Sequence, residues 1–264
     1  MPNISSTAAR EVVHLLLLGE LQALRGGTPP VLKGGVNLRL FFGSMRYSED
    51  IDLDSPPETR AAVRSCIRRF IEEQAVTPKL RELGLRGLDP GSGVNKDTET
   101  TFRYKFGVVG TGQLRHATKV EVSFRGMNET DPVVEEIPHG ALFERYGLAP
   151  FPIRHYTRQA AIRQKIEALA GRTEVQARDV FDLRVLTANE SRPQMAVTMA
   201  SLIDEDKLRR AYDRALDLSF SEFQGQVAEF LEEETRGEMG TADSWDEARL
   251  MAADFIDAIL ESGS

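Results

Sequence analysis

The residues with the most chemical content lie between Leu32 and Asp54, in the stretch LKGGVNLRLFFGSMRYSEDIDLD. Asp50 and Asp52 are carboxylates at a spacing of two, which on a β-strand puts both on one face. Left unpaired they repel, so a strand that keeps both asks for a cation, either an arginine or a hard metal such as Mg²⁺ or Mn²⁺ held through oxygen. Upstream, Lys33-Gly34-Gly35 separates a short apolar segment from a helical pattern. Backbone N–H groups at a helix start can approach a phosphate there, and Lys33 adds charge. A third carboxylate, Glu121, sits on a well-patterned strand pair and could complete a two-metal site for phosphoryl or nucleotidyl transfer. The plainer account makes Asp50, Asp52 and Glu121 exposed strand residues paired with Arg46, Lys119 or Arg125.

Farther along, Lys165 and Arg172 are two helical turns apart on one face, where both could reach an anionic phosphate chain. Asp179 and Asp182 are neighbours at i, i+3. The alternative for these four is a structural ion-pair network between two helices, with Arg172, Arg178 and Arg184 as the cations.

These residues need a scaffold. Ser5, Ser6 and Thr7 offer an N-cap to a helix over residues 8–25 that Gly26 and Gly27 stop. Val31-Leu32, the glycine pair and Leu38 to Phe42 read as strand, turn and short helix. Ile51 and Leu53 alternate with Asp50, Asp52 and Asp54 as a half-buried strand. Pro56 and Pro57 open a helix to about Gln74, on which Arg60, Arg64 and Arg68 form a basic stripe suited to RNA phosphates. The stretch 84–98, rich in glycine and without periodicity, predicts an exposed loop. Phe102 to Val108 and Val120 to Phe124 alternate around Gly110-Thr111-Gly112, a hairpin that places Glu121 opposite the apolar side. A short strand follows near Val133 to Ile137. From Thr157 on, only helical patterns occur, over 157–171, 178–189, 204–217, 219–234 and 244–260. The expected architecture is an α/β (α+β) domain with a mixed sheet over residues 1–155, then an all-helical domain over 156–264 that closes the active-site cleft.

Composition removes other classes. The net charge of −8 argues against a general nucleic-acid coat. The first 200 residues nevertheless carry 27 basic and 24 acidic side chains, whereas the last 64 carry 6 and 17. The acidic tail reads as a solvated helical face. A single cysteine, Cys66, cannot form an internal disulfide and reads as a core residue in a reducing compartment. No apolar run reaches the ~20 residues that span a bilayer, and Glu11 and Glu20 bracket the longest one, so neither a membrane span nor a signal peptide is expected. The expected location is cytoplasmic. His14, His116, His139 and His155 lack metal-ligand spacing, and no GxxxxGK[ST] loop or G-x-S-x-G elbow occurs.

The motifs together resemble the AbiEii-type nucleotidyltransferase toxins of the DNA polymerase β-like superfamily. Lys33-Gly34-Gly35 with Leu38, Arg39 and Leu40 resembles the family's glycine motif. Arg46-x-Ser48-x-Asp50-Ile51-Asp52-Leu53 matches its arginine-serine-DxD motif. Lys165-x-x-Ala168-Leu169-x-x-Arg172 resembles its lysine motif, and Arg178-Asp179-x-x-Asp182-Leu183 its last one. The family carries Thr or Ser directly after the glycine pair; this chain has Val36 and then Asn37, whose amide is the available substitute for the missing hydroxyl.

The resemblance implies a toxin of a type IV toxin–antitoxin system, neutralised by a cognate antitoxin. It would use a nucleoside triphosphate and extend the 3′ end of tRNA, so blocking protein synthesis. Asp50 and Asp52 would hold Mg²⁺, Glu121 would help deprotonate the attacking hydroxyl, and Ser48 and Lys165 would position phosphates, with Asp182 completing the catalytic set. Lys33, Gly34, Gly35, Arg46, Arg172 and Asp179 would bind the nucleotide. Two rivals stay open: a nucleotidyltransferase acting on a small molecule, and a nucleotide-binding or partner-binding protein without transfer activity. A screen with tRNA separates the first, and metal-dependent turnover the second.

Overall fold

The computed structural model describes residues 4–24, 27–73, 75–127, 130–188 and 192–263. The expected helix stop at Gly26 and helix ends at Gln74 and Asn189 fall outside them. The chain forms two compact units, one of Met1–Phe41, Tyr47–Glu129 and Val133–Tyr156, the other of Phe42–Arg46, Thr130–Pro132 and Thr157–Ser264.

The first unit is built on a mixed seven-stranded sheet in the order β3-β4-β5-β2-β1-β7-β6. Helix α1 (Ser6–Gln22) starts where the Ser5 hydroxyl accepts the Ala8 N–H. Strand β1 (Val31–Lys33) runs straight into helix α2 (Gly34–Phe41), so the glycine pair is the first turn of the helix and not a separate turn before it. Then come β2 (Ile51–Asp54), α3 (Arg60–Glu72) and α4 (Thr77–Glu82). The expected hairpin is present as β4 (Thr101–Val109) and β5 (Arg115–Ser123), with Phe102 opposite Val122 and Tyr104 opposite Val120.

The stretch expected to be a loop is an edge strand, β3 (Gly87–Asp97), paired antiparallel with β4. Its register shifts twice, and Gly91 and Gly93 have positive φ, so backbone pairing persists without the alternation that betrays a strand in sequence. Strand β6 (Val133–Glu136), α5 (Gly140–Glu144) and β7 (Ile153–Tyr156) complete the unit. The sequence gives β7 no period because only four residues follow two prolines, yet it joins β1 in parallel and β6 in antiparallel. The core lies between the sheet and the helices that carry Leu15, Leu18, Val63, Ile67 and Phe70, against Ile51, Leu53, Val120 and Val122. Cys66 is buried there, as expected.

The second unit is helical: α6 (Arg158–Gly171), α7 (Ala177–Thr187), α8 (Arg192–Ala200), α9 (Glu205–Asp217), α10 (Phe220–Gln226), α11 (Glu233–Met239) and α12 (Ala242–Ser262). The helix expected over 219–234 is broken, because α10 ends at Gln226 and Val227 turns to φ −130°. Helix α8 had no clear period. Trp245 is fully buried, stacks on Phe223 at 4.8 Å and donates its indole N–H to the Leu218 carbonyl. Among the described residues no helix is long and apolar enough to cross a membrane.

Candidate active site

Sheet register brings the first set of candidates together. Lys33 on β1 pairs with Asp52 on β2, Asp52 with Glu121 on β5, and Glu121 with Arg103 on β4. One row across four strands therefore reads cation, carboxylate, carboxylate, cation. The Ile51 and Leu53 side chains are fully buried on the other face, which fixes this face as the polar one.

The carboxylates differ in their partners. Glu121 accepts from Arg103 Nε at 2.6 Å, and Asp50 from Lys119 Nζ at 2.6 Å. Lys33 Nζ reaches along the strand to Asp54 at 2.6 Å, and Tyr156 donates to the other Asp54 oxygen at 2.8 Å. Among the described residues Asp52 has no ion-pair or hydrogen-bond partner for its carboxylate. Withdrawal from water raises its pKa; Lys33 opposes that rise, and Asp50 and Glu121 add to it. The plainer sequence account thus names the partner of Asp50, Lys119, but misses Arg103 at Glu121, assigns Arg46 to this strand when it pairs with Asp182, and leaves Asp52 unexplained. Arg103 was legible: it alternates with Phe102 and Tyr104 and so faces the same side as Glu121.

Gly34 abuts this carboxylate. Its φ is +69°, and a Cβ placed there would lie 3.0 Å from Asp52 Oδ2. The position therefore needs glycine both for its backbone and for the approach of α2 to Asp52. The N-terminal N–H groups of α2 are unpaired within the helix by its geometry, which suits an anion. Asn37 is not free to replace the missing hydroxyl. It is buried, its amide donates to the Tyr156 carbonyl at 2.9 Å, and its carbonyl oxygen is 2.9 Å from His155 Nδ1. Ser48 donates to the Asp50 carbonyl at 2.8 Å and so shapes the entry to β2.

Asp50 and Asp52 are oxygen donors suited to a hard divalent cation, and among the described residues Asp52 has no direct ion-pair partner. Among the described residues no group of three or more His, Cys, Asp or Glu side chains is gathered so as to hold a metal ion by itself. Mg²⁺ does not require one, because it keeps several waters and is held by one or two carboxylates plus substrate phosphates.

The second set gathers in the helical unit. Lys165 on α6 lies 2.9 Å from Asp179 and 2.6 Å from Asp182, both on α7. Arg46 reaches Asp182 at 3.1 Å, and Arg172 reaches Asp179 at 3.2 Å. Both aspartates are fully buried. Burial works against the Lys165 ammonium, but Asp179 and Asp182 outweigh it and hold its pKa above the usual lysine value. Burial likewise opposes the Asp182 carboxylate, and Arg46 and Lys165 overcome it, so its pKa is lowered. The network anticipated as the alternative therefore exists, with Arg46 in it and Arg184 directed instead to Ser244 and Glu247.

The basic stripe on α3 is partly neutralised at home. Arg60 binds Asp97 of β3 at 2.8 Å, and Arg64 contacts the other oxygen of the same carboxylate. Arg64 also lies over the Phe102 ring. Arg68 follows on the same side of the helix.

Paired carboxylates beside a glycine-started helix on a mixed sheet are a donor set suited to nucleotidyl transfer. Residues 16–261 match the model of the nucleotidyl transferase AbiEii toxin family of type IV toxin–antitoxin systems, and the chain belongs to that family. JHP933 from Helicobacter pylori has a similar fold, with 20% identity, a TM-score of 0.56, and coverage of 99% of this chain and 95% of that one. MenT4, a nucleotidyltransferase toxin from Mycobacterium tuberculosis, is similar at 17% identity and a TM-score of 0.52, covering 96% of this chain and 84% of that one. No curated protein sequence matches.

Proposed function

We propose that this toxin transfers a nucleotide from a nucleoside triphosphate to the 3′ end of tRNA, with Mg²⁺ or Mn²⁺, and so arrests translation. The observation that carries the reading is Asp52: a carboxylate beside Asp50 and Glu121 whose pKa burial raises and which, among the described residues, has no ion-pair partner. Asp50 and Asp52 would hold the ion, which when bound neutralises charge developing on the transferred phosphoryl group. Lys33 and the N–H groups at Gly34 and Gly35 would hold the triphosphate.

In the reaction the 3′-hydroxyl oxygen attacks the α-phosphorus, the α–β bond breaks and pyrophosphate leaves. Glu121, in register beside Asp52, would take the hydroxyl proton. Ser48 is proposed to help shape the phosphate site; within the helical unit Asp179 and Asp182 hold the Lys165 ammonium, and Arg172 and Arg46 engage those same carboxylates. Arg60, Arg64 and Arg68 would meet the RNA backbone, and a cognate antitoxin would be the neutralising partner.

A cell-free translation reaction tests this. Adding wild-type protein should stop synthesis, Asp52→Ala protein should not, and fresh tRNA supplied after the protein has been removed should restore it. Equal inhibition by both proteins, or rescue by something other than tRNA, would overturn the reading.

A further inference from the structure

The first unit has an open pocket of about 320 Å³ whose charged lining is Lys105, Arg115 and Lys119 together with the carboxylates of Glu49 and Asp50. Its cations are arranged in a way the scaffold alone does not require. Lys105 on β4 and Lys119 on β5 are direct cross-strand partners, a like-charge pairing that destabilises a sheet. Lys119 is balanced by Asp50 at 2.6 Å, whereas Lys105 has no carboxylate partner among the described residues.

Arg115 is seated with care. Its Nε binds Asp89 at 2.5 Å, and Asp89 also accepts the Gly91 N–H at 2.9 Å within the irregular part of β3. A Cβ at Gly107 would come within 2.7 Å of the Arg115 side chain, and one at Gly91 within 2.4 Å of Nη2. Two side-chain-free positions thus make the bed on which the guanidinium lies at the pocket wall.

The position of the pocket relative to the carboxylates suggests its occupant. Lys33 and Gly34 stand on the β1 side of Asp52, and the pocket stands on the β5–β4 side of Asp50. In-line transfer puts the attacking oxygen and the leaving pyrophosphate on opposite sides of the phosphorus. We infer that this pocket binds a backbone phosphate of the acceptor strand, with Lys105 and Arg115 as its ligands, while the triphosphate takes the β1 side. The inference rests on the transfer reaction proposed above and adds where the acceptor enters.

The test compares wild type with Lys105→Glu, Arg115→Gln and the control Lys79→Glu, which reverses a half-buried charge on α4 paired with Glu82. Each is checked for folding by its melting curve. Binding of a fluorescein-labelled single-stranded RNA is read by anisotropy across salt, and KM is read separately for bulk tRNA and for the nucleoside triphosphate. The two pocket variants should weaken RNA binding about tenfold, lower the salt slope by about one, and raise the tRNA KM, with the triphosphate KM held. Lys79→Glu should do none of this.

If the triphosphate KM rises instead, the pocket serves the nucleotide and the assignment is overturned. It is also overturned if RNA binding is unchanged in folded variants. Wild-type protein that binds RNA through this pocket but transfers nothing to it would leave the pocket standing and refute the transfer reading.

Discussion

Asp52 and Glu121 are register partners on the adjacent parallel strands β2 and β5, yet among the described residues only Glu121 has an ion-pair partner, Arg103 at 2.6 Å. A fold selected for stability alone would give Asp52 a partner or replace it with a neutral residue. The asymmetry therefore predicts opposite effects on stability and function. In EDTA, Asp52→Asn should melt about 2–4 °C above wild type, the effect of about 1 kcal/mol in a chain of this size, while nucleotide transfer falls by several orders of magnitude. The native pKa of Asp52 is raised above 3.8, so the folded state binds the proton more tightly than the unfolded chain. The metal-free wild type should accordingly lose ground to Asp52→Asn as pH rises from about 4. Thermal melts across pH check this, and a lower melting temperature for Asp52→Asn throughout would mean that the carboxylate is structural.

Gly34 gives a second handle on the same carboxylate. Gly34→Ala places a Cβ at φ +69° and 3.0 Å from Asp52 Oδ2. The backbone strain should cost about 1–2 kcal/mol, and the displaced carboxylate should reduce turnover far beyond what that loss of stability explains. Activity measured well below the melting temperature separates the two effects. A variant that is destabilised yet fully active would show that α2 does not set the position of Asp52.

Lys165 is buried, and its ammonium serves two buried aspartates. An exposed pair would cost up to ~1 kcal/mol on removal. Here Lys165→Met leaves Asp179 and Asp182 short of a cation, and the expected loss is about 3–5 kcal/mol. Chemical denaturation measures it directly. Because the native pKa of Asp182 is lowered, its contribution is full above about pH 4 and is lost as the pH falls further. A loss below 1 kcal/mol at neutral pH would remove the network from the scaffold.

His14 supplies a pH signature away from the carboxylates. Thr118 gives its hydroxyl proton to the Glu49 carbonyl at 2.6 Å, so the 2.8 Å contact with His14 Nε2 requires the imidazole to donate. Burial, with Arg10 nearby, pushes the pKa of this histidine down to about 3, against 6.5 in the unfolded chain. The unfolded state then binds more protons between those values. Stability should fall by about 1.4 kcal/mol for each pH unit below 6.5, and His14→Gln should remove that slope. Unfolding free energies from pH 7 to 4 decide it: equal slopes in the two proteins would contradict a neutral buried His14.

The residues that speak in the sequence are those whose pattern is local. The alternation around Asp50 and Asp52, the hairpin through Gly110 and the cap at Ser5 each depend on a few neighbouring residues, and each appears where expected. Strands β3 and β7 were silent for different reasons. An exposed edge strand interrupted by bulges buries no alternating face, and four residues are too few to show a period. Arg103 lies opposite Glu121 within a hairpin that the alternation marks, whereas Arg46 beside Asp182 is a product of packing between distant segments, which spacing along the chain does not encode. Asn37 is the instructive misreading: its position after the glycine pair suggested a phosphate ligand, but its amide is engaged by His155 and Tyr156 of a strand that the sequence did not disclose.

The most direct test of the account is the intact mass of bulk tRNA after incubation with the protein, Mg²⁺ and each nucleoside triphosphate in turn. The account predicts that at least one triphosphate adds one or more nucleotide residues to the 3′ end, and that Asp52→Ala protein or EDTA abolishes the addition. Unchanged tRNA mass with all four triphosphates, from folded wild-type protein supplied with the metal, would contradict it.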